Sequence, residues 1–208
     1  MEAKLDRRKE RTRRLLRDAL MELIVEKGYE AITIQDITER ANVARPTFYL
    51  HYKDKDELLL KESAAMYDEL VREHGALTRK AILDNDMSAM MIDTTDFDHV
   101  AQFADFYRVM LSERGSLTFF IGVLRYLQNV AAQDILSSLK SDNQPPRLPT
   151  GLLAKFLGWH EAMVTDWWLH EGGEYSAEQM AQMQYCLCMF GLSWALRLDV
   201  TPPDITFP

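Results

Sequence analysis

The chain has 208 residues, enough for one large domain or a small one joined to a larger one, and 47% of them are apolar, so a sizeable core is within reach. Its net charge of -8 is unevenly spread, with a balance of +2 over residues 1–61 and of -10 over residues 62–208, which suggests a basic nucleic-acid-contacting end on an acidic body. No apolar run approaches membrane-spanning length and no signal-like start is present, so the expectation is a soluble, cytoplasmic protein that does not enter a membrane.

Residues 1–10 are expected to form a mobile arm. Residues 1–17 hold eight basic side chains against three acids. Cations are poorly placed at the positive end of a helix, so a phosphate partner explains them better than a merely solvated helix start. A first helix is expected over about residues 11–27. Leu15/Leu16, Ala19/Leu20 and Leu23/Ile24 form its apolar stripe and Gly28 its stop. Thr33 is a good N-cap, with Asp36 three residues on in capping-box position. Ile34, Ile37 and Ala41 follow at i, i+3 and i+7. Asn42 stands where a left-handed residue would stop this helix, and Val43 plugs the turn. Pro46 suits the first turn of a further helix, expected from Arg45 to His51. Two helices this short must lean on neighbours, and the arrangement is that of a helix-turn-helix reader of double-stranded DNA.

Asp54 is placed to cap a long helix over about residues 55–78, and residues 80–95 read as a loop. Asp96 opens another helix carrying Phe97, Val100, Phe103/Ala104, Tyr107 and Leu111 on one side, broken at residues 114–116. A buried, central helix is expected over about 117–140, then a polar, proline-rich connector over 141–149. Two long helices close the chain, the first over about 150–171 and the second opened by a capping box of Ser176 and Gln179. No period-two strand pattern occurs. The fold expected is all-α, with about eight helices: an N-terminal three-helix helix-turn-helix head (residues 1–54) on a larger helical ligand-binding and dimerisation body (residues 55–208).

Little in the chain invites catalysis or metal binding. The pair His160–Glu161 begins a zinc-binding helix pattern, but residue 164 is Val, so no metal is expected. Cys186 and Cys188, two apart on a helix, point to different faces and favour neither a disulfide nor a shared metal. No cofactor motif occurs and the five histidines are scattered, so an enzyme is not expected. The aromatic residues of the body could line a cavity between helices, where bundles commonly place ligands; the plainer reading is core.

From Arg11 to Leu60 the chain resembles the tetracycline-repressor (TetR) family of transcriptional regulators. The resemblance rests on Lys27–Gly28–Tyr29, Ile32 to Ile37, Ala41–Asn42–Val43, Thr47 to Tyr52, and Lys55 to Leu58. Asn42 stands where the family usually has Gly, and Ala44 where it usually has a capping Ser or Thr. The resemblance implies DNA contacts on Thr33, Arg45, Thr47, Tyr49, His51 and Lys55. Side-chain chemistry divides them into phosphate contacts (Thr33, Tyr49, His51, Lys55) and base readers (Arg45, Thr47), with Gln35 a further candidate base reader. It also implies a palindromic operator, a homodimer formed through the last two helices, and release by a small-molecule effector. The expected effector contacts are Phe103, Tyr107, Phe120, His160 and Trp167. A similar run from Phe106 to Leu124, with Trp167–Trp168, marks a subgroup in which some members answer to a partner protein, so partner control is the alternative. A helical enzyme is the remote one.

Overall fold

The computed structural model describes residues 2–68, 93–136 and 146–196. Among these residues the fold is all-α. Helix α1 spans Glu2–Lys27, α2 Ile34–Arg40 and α3 Arg45–Tyr49, and residues 55–68 form α4. Helices α5 (Thr95–Gln102), α6 (Ala104–Met110) and α7 (Leu117–Val130) follow, the last running into a π turn at Ala131–Ile135. Helices α8 (Thr150–His170) and α9 (Ala177–Leu196) close the described part. None of these helices is long and apolar enough to cross a membrane.

Four expectations need correction. The arm is not a coil: α1 starts at Glu2, because no Gly or Pro interrupts residues 2–27 and the run is rich in good helix formers. Helix α3 stops at Tyr49 rather than His51, its last turn closing tightly through Leu50 N–H to the Thr47 carbonyl (3.2 Å) and His51 N–H to that of Phe48 (2.9 Å). The helix expected from Asp96 starts at Thr95 and breaks at Phe103, whose backbone (φ -114°, ψ 28°) leaves the helical region. The helix expected over 117–140 turns into a π turn after Val130. The loop expected at 80–95 falls mostly outside the described residues, as do the far ends of the helices expected to reach 78 and 140.

The chain divides into two compact units, one of Met1–Tyr67 with Asp105–Gly122 and the other of Asp68–Ala104 with Val123–Pro208. In the first, Leu16, Leu20 and Ile24 of α1 bury against a core that includes Ile37, Phe48 and Leu58. Gly28 ends α1 at φ +79°, and a Cβ there would stand 3.1 Å from the carbonyl oxygen and Cβ of Arg114. That carbonyl accepts the Tyr29 N–H at 2.9 Å, fixing residues 111–116 against the end of α1.

In the second unit, Phe97 meets Trp168 edge-on at 5.4 Å, and Leu124, Leu153, Val164 and Met180 are buried. The expected capping box of α9 forms, Gln179 N–H donating to Ser176 Oγ and Ser176 N–H to Gln179 Oε1. Helix α8 is apolar on two faces. Leu153, Val164 and Trp168 turn inward, whereas Leu152, Phe156, Trp159, Met163 and Trp167 form an exposed stripe at helical spacing.

Candidate nucleic-acid interface

The recognition geometry is set by local capping. Thr33 accepts the Asp36 N–H on its hydroxyl and donates its own N–H to the Asp36 carboxylate at 2.7 Å, so the capping box is closed. The Lys27 ammonium 2.8 Å away, and then Thr33, hold that carboxyl well below the usual carboxylate range. Thr33 is exposed, but its hydroxyl already donates to Asp36, so a phosphate would have to compete for it. Asn42 takes the left-handed conformation (φ 51°) that stops α2. Val43 N–H then returns to the Thr38 carbonyl at 2.9 Å and aims the chain into α3. Ala44 caps α3 with no side-chain hydrogen bond.

Helix α3 buries only Phe48. Arg45 and Tyr49 lie side by side on its exposed surface, the guanidinium 6.0 Å from the ring centroid and Nη2 3.4 Å from the hydroxyl. Thr47 and His51 are half-exposed on the other flank. Gln35 projects from α2 and donates to Glu39 Oε1 at 2.8 Å. It shares the wall of an open cleft of about 600 Å³ with Asn42 and Arg45, in the crook of the two helices. Burial, then the cations Arg13 and Lys9, push the His51 imidazole below its ordinary value.

Lys55, expected as a phosphate contact, has close partners within the head. Its ammonium donates to the carbonyls of Tyr29 (3.0 Å), Glu30 (3.3 Å) and Ile32 (3.0 Å), and it lies 4.4 Å from the centroid of the Tyr29 ring. An ammonium has three protons, and all three are committed to the turn between α1 and α2. A second bond joins distant segments of the first unit. Glu62 of α4 is buried and accepts from Arg13 Nη2 at 2.8 Å and from the Tyr52 hydroxyl at 2.7 Å. An acid among the apolar inner residues of α4 was the available signal. Further out on α1, Arg8, Lys9, Arg11 and Arg14 are exposed.

The residues expected to hold an effector are divided. Tyr107 and Phe120 belong to the first unit, where the Tyr107 hydroxyl donates to that of Tyr67 at 3.0 Å. Phe103, His160 and Trp167 belong to the second, in three separate ring contacts: with His99, Phe156 and Tyr175. His160 is buried, its Nε2 has no hydrogen-bond partner, and burial lowers its pKa. Among the described residues no group of three or more metal-ligating side chains comes together.

Residues 16–61 match the sequence model of the bacterial regulatory proteins of the tetR family. The chain carries a tetR-family DNA-binding head. An uncharacterized HTH-type transcriptional regulator of Bacillus subtilis (strain 168), YxbF, is 49% identical over 59 residues, which are 28% of this chain. The match spans only 16% of that relative's length. In structure the chain is similar to the fatty acid degradation regulator FadR from Bacillus halodurans, with a TM-score of 0.66 and 18% identity over 87% of this chain and 96% of that one. It is similar also to the transcriptional regulator FadR from Bacillus subtilis in complex with stearoyl-CoA, with a TM-score of 0.57 and 18% identity over 86% and 97% of the two chains. At these identities the likeness is one of fold. The matched residues include the Thr33–Asp36 capping box, the left-handed Asn42 and the exposed face of α3.

Proposed function

We propose that this protein is a cytoplasmic transcriptional repressor that binds a palindromic operator as a homodimer and is released by a small molecule. The observation that carries the reading is α3, a short helix held by Phe48 alone, with Arg45, Thr47, Tyr49 and His51 presented from a tightly capped tetR-type head. Residues 1–54 read DNA in this proposal and residues 55–208 respond and dimerise. Arg45 and Thr47 contact base edges, with Gln35 beside them, while Thr33, Tyr49, His51 and the exposed cations of α1 hold phosphates.

One α3 offers too few base contacts for specificity, so two copies are needed about 34–36 Å apart on successive major-groove faces. The exposed stripe of α8 supports pairing through the last two helices, since five large apolar side chains at helical spacing make a continuous patch. The stearoyl-CoA complex of a protein similar in fold supports an effector with a long apolar part. A body site that takes such a molecule acts on DNA through α4, which leaves the head at Lys55 and continues past Tyr67.

The test is selection of binding sites from random duplex DNA by the full-length protein. An inverted repeat is the expected product. Arg45→Ala should flatten the preference at one base pair in each half-site, a guanine by the geometry of its fork, at a cost of about 1–3 kcal/mol. Recovery of no common sequence would overturn the reading.

A further inference from the structure

The outermost line of α3 is apolar. Successive residues of a helix are turned by about 100°, so the positions two before and two after Phe48 point away from the core. Those positions are Pro46 and Leu50, both exposed. Leu50 keeps helical geometry (φ -74°, ψ -16°) as the C-cap and is 83% exposed, the highest value for a large apolar side chain among the described residues. The hydrogen-bonding residues stand on the flanks instead, Thr47 to one side and the Arg45–Tyr49 pair to the other.

A helix that enters the major groove meets base edges along this outermost line first. Pro46 and Leu50 can neither donate nor accept a hydrogen bond through their side chains, so they cannot pair with the groove's nitrogen and oxygen atoms. One major-groove group takes an apolar contact, the 5-methyl of thymine. A leucine set against a polar edge would strip water from it and return nothing. We propose that Leu50, with Pro46 one turn before it, reads the 5-methyl group of a thymine in each half-site. This rests on the proposed reading of DNA through α3 and adds a specificity-determining residue to it. Leu50 disfavours adenine, cytosine and guanine at that place by offering their polar edges no partner.

The experiment takes the operator selected by the full-length protein and replaces its thymines, one symmetric pair at a time, by deoxyuridine. That change removes the methyl and leaves every hydrogen-bonding group in place. For the wild type, one pair should weaken binding about fourfold per half-site, the value of one buried methyl. Leu50→Ala should weaken binding to the thymine operator by at least as much and be indifferent to deoxyuridine at that pair. Because Leu50 is exposed, the variant keeps its fold, which its melting temperature checks. Leu50→Gln should select a new motif that no longer requires thymine there.

Three outcomes overturn the proposal while leaving the DNA-binding reading intact. They are a half-site without thymine, a wild type indifferent to every deoxyuridine pair, and a Leu50→Ala protein as sensitive as the wild type. Failure to select any sequence overturns both, and is recognised before any deoxyuridine is made.

Discussion

The ammonium of Lys55 stands 3.0 Å from the carbonyl oxygen of Tyr29 and 4.4 Å from the centroid of that residue's ring. With Glu30 and Ile32 also accepting, Lys55 ties the first turn of α4 to the chain between α1 and α2. The Tyr29 hydroxyl returns the connection by donating to Asp56. Lys55→Met should cost about 2 kcal/mol of stability, since three carbonyls lose a charged donor. The slope of operator affinity against salt should stay as in the wild type. A slope lowered by about one unit would restore Lys55 to the phosphate contacts.

Arg13, Tyr52 and Glu62 make the second fastening of α4. Both Arg13 and Tyr52 spend their donors on one buried carboxylate oxygen, and the hydrogen bond to Glu62 raises the Arg13 pKa further still. Arg13 is itself 38% exposed, so the pair is worth less than a fully buried one. In a double-mutant cycle of Arg13→Ala and Glu62→Ala, denaturation should give a coupling of about 1–2 kcal/mol. Near-zero coupling would mean that the contact is dispensable.

Acid should act in two steps. Burial holds His51, His99 and His160 below the ordinary 6.5, so in this range the unfolded chain binds more protons than the folded one. The associated stability is intact above about pH 6.5 and is lost as pH falls from there through the folded values. Asp36, Glu26 and Glu57 are also lowered, each chiefly by a hydrogen bond to a cation, and their share is lost only below their ordinary values of 3.8 and 4.5. Operator binding should respond in the opposite sense. A phosphate at His51 favours the imidazolium, whose free-protein pKa is held below the ordinary value, so affinity should rise as pH falls through the imidazole range. His51→Gln should flatten that rise in a fluorescence titration; an unchanged rise assigns the proton elsewhere.

The stripe on α8 gives a prediction about assembly. Trp159 is 53% and Met163 60% exposed, values large for such side chains in a lone chain. Met163→Glu places a charge in the middle of the stripe and should yield monomers by analytical ultracentrifugation, with operator affinity falling at least tenfold. A dimer of wild-type stability would move the interface off this face.

Elements with local causes were legible in the sequence. Thr33 with Asp36, and Ser176 with Gln179, announce their capping boxes because the partners lie three residues apart. Asn42 announces the end of α2 because few other residues tolerate its backbone. The interrupted helix at Phe103 carries no Gly or Pro, so only packing decides it. The fastening made by Lys55 is illegible for a different reason: its acceptors are backbone carbonyls 23–26 residues earlier, which no side-chain pattern records. Leu50 is illegible in the same way, because a leucine carries no hydrogen-bonding group to mark it as a base contact. Aromatic character does not by itself place an effector site, because a core and a cavity share it.

The π turn after α7 changes how the chain tolerates a lost residue. Leu136 N–H donates to the Ala131 carbonyl five residues back, and both residues are buried. In an uninterrupted α-helix, positions five apart differ in direction by about 140°, and only one of the two could face inward. The turn holds one residue more than the surrounding helix needs. A single-residue deletion inside a helix normally rotates everything beyond it off its partners; within Ala131–Ile135 it would instead convert the wide turn to an ordinary one. Among single-residue deletions placed inside helices, those within Ala131–Ile135 should keep the fold where others lose it, as melting temperatures would show.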